Sequence, residues 1–157
     1  MPIADPPLAR SIARTHKVVR AWCDRELAEI GASVSEWIVL HNIESAPEPG
    51  LNQTDVARLS DMGGPALVRH IDRLEADGIV TRTRDASDRR TIRLRLTPAG
   101  CARVEAIRVV VRRCDKEVRG VLSEREAAVM QDALHKLFDH FAGMSDSVGE
   151  PTARSTR

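Results

Sequence analysis

Arginine dominates the one stretch of this sequence where side-chain type and spacing suggest chemistry. Between positions 69 and 95 stand eight arginines (Arg69, Arg73, Arg82, Arg84, Arg89, Arg90, Arg93, Arg95) against five acids (Asp72, Glu75, Asp77, Asp85, Asp88). That is a local surplus of three positive charges in a 157-residue chain of net charge +1. Phosphate recognition depends on local rather than global charge, so the surplus suits a polyanionic partner; the plain alternative is a solvated charged face. The other reactive side chains form no set. His135 and His140 are five apart on an expected helix, the wrong spacing for a shared metal. No serine has a paired His/Asp arrangement, and no Gly-rich phosphate loop follows a strand. The expectation is a protein that is not an enzyme, with no catalytic residues, no metal and no cofactor.

Composition narrows the scaffold that must hold these arginines. Apolar residues make up 42% and charged residues 30%, an ordinary globular balance. Aromatics are 3% with no tyrosine, so the core rests on Leu, Ile, Val and Ala, which favours packed helices over a β-sandwich. Three cysteines without a CxxC argue against a disulfide framework and for a reducing compartment. The first residues lack a basic and apolar leader pattern, and no apolar run is long enough to span a membrane. The expected location is cytoplasmic, with no membrane partner.

Hydrophobic periodicity lays out the elements. Leu8, Ile12, Val19, Trp22, Leu27 and Ile30 form a helical stripe that Gly31 stops. Ser33 to Glu36 is a capping-box pattern opening a second helix with Trp37, Leu40 and Ile43 inside. Residues 46–50 are a Pro/Gly break. Asn52 caps a short helix with Val56 and Leu59 facing in; Ser60 to Gly64 is a tight connection. Pro65 opens the next helix, with Leu67, Val68, Ile71 and Leu74 apolar and Gly78 as its stop. The period then switches to alternation. Ile79–Arg84 and Thr91–Leu96 read as two strands, the second with Ile92, Leu94 and Leu96 on one face, joined by a projecting six-residue loop. Thr97-Pro98 restarts a helix carrying Val104, Ile107, Val111, Cys114, Val118 and Val121, and Ser123 to Glu126 opens a last one with Met130, Leu134, Leu137, Phe138 and Phe141.

Short helix, turn, capped helix and two-stranded ribbon make a winged helix-turn-helix. Such a head reads DNA with the N-terminal part of its second helix in the major groove. The candidates there are Gly64, Pro65, Ala66, Arg69, His70 and Arg73, with Arg69 best placed for a base edge and Ala66 small enough for close approach. Gln53, Thr54 and Arg73 suit phosphates. Arg89 and Arg90 at the ribbon tip suit a narrow minor groove, with Asp88 beside them to orient a guanidinium. The alternative use of such a head is docking a partner protein, which an apolar second-helix surface would favour. The flanking helices exceed what a winged helix needs and are long enough to bury one another across a two-fold axis.

Leu67 to Glu75, Gly78-Ile79-Val80, and above all Asp85-Ala-Ser-Asp-Arg-Arg90 followed by Arg93 to Thr97 resemble MarR/SlyA-type regulators over roughly residues 8–142. The resemblance implies a mainly α fold with a small β-hairpin. Its winged helix-turn-helix (33–97) is embedded in a helical dimerisation region (8–32 and 98–144); outside the resemblance, the proline-rich residues 1–7 read as a flexible arm and the small, polar and charged residues 145–157 as a disordered tail. It implies a homodimer on pseudo-palindromic promoter DNA, usually a repressor, with a pocket between dimerisation and DNA-binding regions. Arg69 matches the family's recognition-helix arginine, and Arg89 and Arg90 its wing arginines. Gly63-Gly64 departs from the bulkier polar residues common there. Some relatives bind phenolic or aromatic anions, for which His16, Arg20, Trp37 and His41 are candidate lining residues between the first two helices. Others sense oxidants through a first-helix cysteine. Cys23 holds that place, although Arg20 and Arg25 are offset by Asp24 and Glu26, and Cys101 and Cys114 read as core.

Overall fold

The computed structural model describes residues 6–60, 62–85, 88 and 90–147, with side chains through 142. Six helices and three strands follow in the order α1 (Leu8–Ala28), α2 (Val34–Ser45), β1 (Leu51–Asn52), α3 (Gln53–Leu59), α4 (Gly64–Ala76), β2 (Val80–Arg84), β3 (Ile92–Leu96), α5 (Pro98–Gly120) and α6 (Glu124–Ser147). The fold class read from the sequence holds. The ribbon is one strand wider than expected: Leu51 and Asn52 pair with Leu94 and Arg93, giving an antiparallel sheet of order β1-β3-β2. Residue 144 does not end the last helix, which runs on to Ser147. Residues 1–5 of the expected arm and 148–157 of the tail lie outside the described residues.

Two compact units divide the chain between Cys114 and Asp115, inside α5. The first contains a core of Leu27, Val39, Leu40, Ile43, Val56, Leu67, Ile71, Leu74, Val80, Leu94, Val104, Ile107, Val110 and Cys114. Three-four spacing delivers these positions from α1, α2, α4 and α5, and strand alternation delivers Val80 and Leu94. Not every apolar residue in the stripes goes inside. Leu59 and Val68 are exposed because Val56 alone anchors the seven-residue α3 and Val68 lies off the Leu67–Ile71–Leu74 face. Ile92 is also exposed, since its pairing with Arg84 is the last rung of the hairpin, past the helices that cover Leu94. Cys101 corrects the reading of it as core: it is exposed, whereas Cys114 is buried.

Local chemistry sets the element ends. Asn52 and Asp55 form a full reciprocal capping box at α3. Ser33 caps α2 by accepting from the Glu36 N–H at 3.1 Å, but the Glu36 carboxylate turns away and is buried against Arg103 at 2.7 Å. Arg103 also donates to the carbonyls of Ile30 and Gly31, so one α5 side chain fastens the α1–α2 turn. Gly78, at φ +69°, closes α4 with the Ile79 N–H on the Leu74 carbonyl at 2.8 Å, a left-handed stop that glycine adopts freely. Thr97 caps α5 by accepting from Gly100 N–H and donates its hydroxyl to the Gly78 carbonyl. Gly100 is packed so closely on the Ile79 carbonyl that an added Cβ would lie 2.1 Å from that oxygen.

The second unit is the α5 C-terminal end and α6. Ser123 and Glu126 form the expected capping box. Val129, Met130, Leu134, Phe138 and Phe141 are exposed. An open cleft of about 660 Å³ lies here, lined by Arg119, Leu122, Glu124, Gln131 and His135 among others. No helix among the described residues is long and apolar enough to cross a membrane, and no described group of three His, Cys, Asp or Glu side chains could hold a metal.

Candidate nucleic-acid interface

Helix α4 presents a short, uncapped N-terminus. Gly63 has no side chain to cap it, Pro65 occupies its first turn, and that turn carries no acid. The positive end of the helix dipole is thus left uncompensated, a setting that favours a phosphate. Gly64 and Pro65 are exposed and Ala66 is half-buried. Arg69 and Arg73, four residues apart and therefore on one face, are both exposed. At the start of α3, Thr54 is exposed and Gln53 half-buried.

His70 does not join them. It stands three after Leu67 and four before Leu74, so helical geometry turns it toward the buried face, and its Nε2 is buried without a hydrogen-bond partner. Burial pushes its pKa below the ordinary imidazole value, against the pull of Glu36 and with the help of Arg73. It is better described as part of the head's interior than as a base-reading group.

The arginine surplus divides into two sets. Arg82 bridges from β2 to α4, holding Glu75 and donating to Asp72 at 2.6 Å. Arg93 donates to the buried Asp85 at 2.8 Å and to the Gly50 carbonyl. Arg95 grips Glu48 with two bonds of 2.9 and 2.7 Å. These three brace the wing and are neutralised within the chain. Among the described residues, Arg69, Arg73, Arg84 and Arg90 make no ion pair. Arg84, counted among the eight arginines but given no role from the sequence, is exposed at the last rung of β2. Arg89 lies outside the described residues.

Asp88 has a different task from the one expected of it. Its carboxylate accepts from the Arg90 backbone N–H at 3.0 Å and from the Thr91 hydroxyl at 2.8 Å, which holds the turn rather than a guanidinium side chain. The Thr91 hydroxyl, then the Arg90 N–H, keep its pKa below the ordinary carboxylate value. The four ligand candidates stand as follows. Trp37 stacks on His41 with ring centroids 4.8 Å apart, and Arg20 donates to Ser35 at 2.8 Å and faces Asp24; His16 is exposed.

Residues 30–91, from the end of α1 to the wing tip, match the sequence model of the MarR family. Over those residues the chain carries the MarR-family pattern. The whole fold agrees with this. The transcriptional regulator PA3341 is 28% identical with a TM-score of 0.77, over 87% of this chain and 99% of that one. The transcriptional repressor CouR, in a structure bound to a 23-mer DNA duplex, is 26% identical with a TM-score of 0.76, over 83% and 92%. Wild-type MarR from E. coli, in its apo form, is 24% identical with a TM-score of 0.73, over 84% and 97%. The chain accordingly has the winged helix-turn-helix fold of MarR-type transcriptional regulators. In that fold α4 is the second helix of the helix-turn-helix and β2–β3 the two-stranded ribbon that follows it.

Proposed function

We propose that this MarR-family chain is a cytoplasmic, homodimeric repressor of transcription that binds pseudo-palindromic promoter DNA. The observation that carries the reading is the sorting of the arginines. Arg82, Arg93 and Arg95 are consumed in bracing the wing, while Arg69 and Arg73 on α4 and Arg84 and Arg90 on the wing face solvent without a described acidic partner. Arg69 reads a base edge in the major groove, with Gly64, Pro65 and Ala66 allowing close approach. Gln53, Thr54 and Arg73 contact phosphates, and Arg84, Arg89 and Arg90 contact the backbone and an A·T-rich minor groove. CouR, whose structure holds a duplex, is the relative that supports this use of the fold. The exposed apolar face of α6 supports self-association. A small aromatic or phenolic ligand releases the DNA; regulation of DNA binding by 6-hydroxynicotinic acid in BpsR of Bordetella bronchiseptica is the parallel. In this chain the Trp37–His41 stack offers the flat surface for it.

The test is a duplex-binding titration over a range of salt with genomic fragments selected by the protein. Affinity should fall linearly with salt on logarithmic axes, and Arg90→Ala should reduce the slope by about 0.9, one phosphate's worth. Arg69→Ala should lose roughly 1–3 kcal/mol of discrimination between selected and scrambled duplexes while leaving the slope little changed. Equal binding of both duplexes by the parent chain would overturn the reading.

A further inference from the structure

Arg69 has an acid within reach on its own helix. Asp72 stands three residues further along α4, a spacing at which an arginine and an aspartate meet across one turn. The other positions one turn from Arg69 are Pro65, Ala66 and Arg73, and none of them is acidic. Asp72 nevertheless pairs elsewhere. Its Oδ1 accepts from one Arg82 Nη at 2.6 Å, while the other Arg82 Nη holds Glu75, one turn further along the same helix. Arg69 itself is exposed and makes no ion pair among the described residues.

Two features let Arg82 win Asp72. Strand β2 packs against α4, so the Arg82 side chain, only 21% exposed, is already confined beside the helix. Its planar fork also serves two carboxylates at once. An Arg69–Asp72 pair would be a single, solvated contact, with the base before the acid along the helix, which is the weaker order.

We propose that Arg82 is a positioning residue for base reading: by occupying Asp72 it keeps the Arg69 guanidinium free for a base edge, the base-reading step resting on the function proposed above. Without Arg82, Asp72 turns to Arg69, and a base contact must first break that pair. The loss then falls on discrimination between duplexes, because only the matched duplex uses the Arg69 contact. Glu75, also left without its partner, adds negative charge that repels the phosphates of any duplex and lowers affinity throughout. A mere brace between wing and helix behaves differently. Its loss could not be repaired by neutralising Asp72, because that change restores no link between β2 and α4.

The experiment uses the full chain with Arg82→Ala, alone and combined with Asp72→Asn or with Glu75→Gln, each shown to be folded by a urea titration. In the chain without DNA, the Nε–H resonance of Arg69, assigned by its disappearance in Arg69→Lys, should move on Arg82→Ala. It should move back on adding Asp72→Asn but not on adding Glu75→Gln. With DNA, the ratio of selected to scrambled duplex affinity should fall roughly two-fold or more in Arg82→Ala, the least that a helix-spaced pair would take. Adding Asp72→Asn should restore it. Should Arg82→Ala fail to fold, Arg82→Lys replaces it: one ammonium serves one carboxylate at a time, and the same changes should appear in smaller degree. A double Arg82→Ala, Asp72→Asn variant that discriminates no better than Arg82→Ala overturns the proposal, as does an Arg69 resonance that Arg82→Ala leaves in place. A parent chain that binds both duplexes equally overturns the base-reading step instead, with the Arg69 resonance still deciding whether Arg82 keeps that side chain unpaired.

Discussion

Asp88 carries two hydrogen bonds at the wing turn, from the Arg90 N–H and the Thr91 hydroxyl, and both favour its charged form. Its folded pKa lies below the ordinary 3.8, so the brace is fully present above that value and is lost as pH falls through the lower folded one. Asp88→Ala should therefore speed amide exchange at Arg90 and lower duplex affinity, while global stability is little changed, as for surface sites generally. Hydrogen exchange and a denaturant titration check this; a clear drop in the denaturant midpoint would make Asp88 a support of the core. The contrast with its neighbours shows what a sequence displays at this scale. Eight arginines are visible as types, but Arg93 meeting Asp85, or Arg95 meeting Glu48 forty-seven positions earlier (95 − 48), is a property of the sheet register. His70 is the converse case. Its helical phase beside Leu67 and Leu74 was readable and pointed inward, yet its polar type suggested the surface.

At the scale of elements, signals that act over three or four residues were legible. The Asn52 box, the Ser33 cap, the Gly78 stop and the Thr97 cap all stand where side-chain chemistry puts them. Strand β1 was not legible, because two residues carry no alternation and Leu51 and Asn52 become a strand only through β3. The Glu36 carboxylate was misassigned for a related reason: a capping partner three residues away competes with Arg103 sixty-seven positions on, and the buried ion pair wins. The joint between wing and α5 is the tightest such contact. Gly100→Ala places a methyl against the Ile79 carbonyl, where backbone rather than a flexible side chain must yield. The expected cost is about 1–3 kcal/mol, seen as a lower urea midpoint with unchanged slope. An unchanged midpoint would mean that α5 moves freely on the head.

For the whole molecule, the apolar residues left outside are as informative as the core. Met130, Leu134 and Phe138 recur at intervals of four along α6 and remain exposed. In the proposed dimer this face is covered. Leu134→Asp together with Phe138→Asp should weaken self-association by about 2 kcal/mol or more per site and give a monomer in sedimentation. Duplex affinity should fall with it, because two heads on one palindrome bind as a linked pair. A double variant that sediments like the parent would place the interface elsewhere. The Arg82 bridge has a consequence at this same scale. By tying β2 to Asp72 and Glu75 of α4, it links wing and helix across the head. In the proposed complex the protein then has less freedom to fit itself to the groove spacing it meets. The duplex would do more of the bending, and promoters would be sorted by how easily their pyrimidine–purine steps yield as well as by the bases proposed for Arg69.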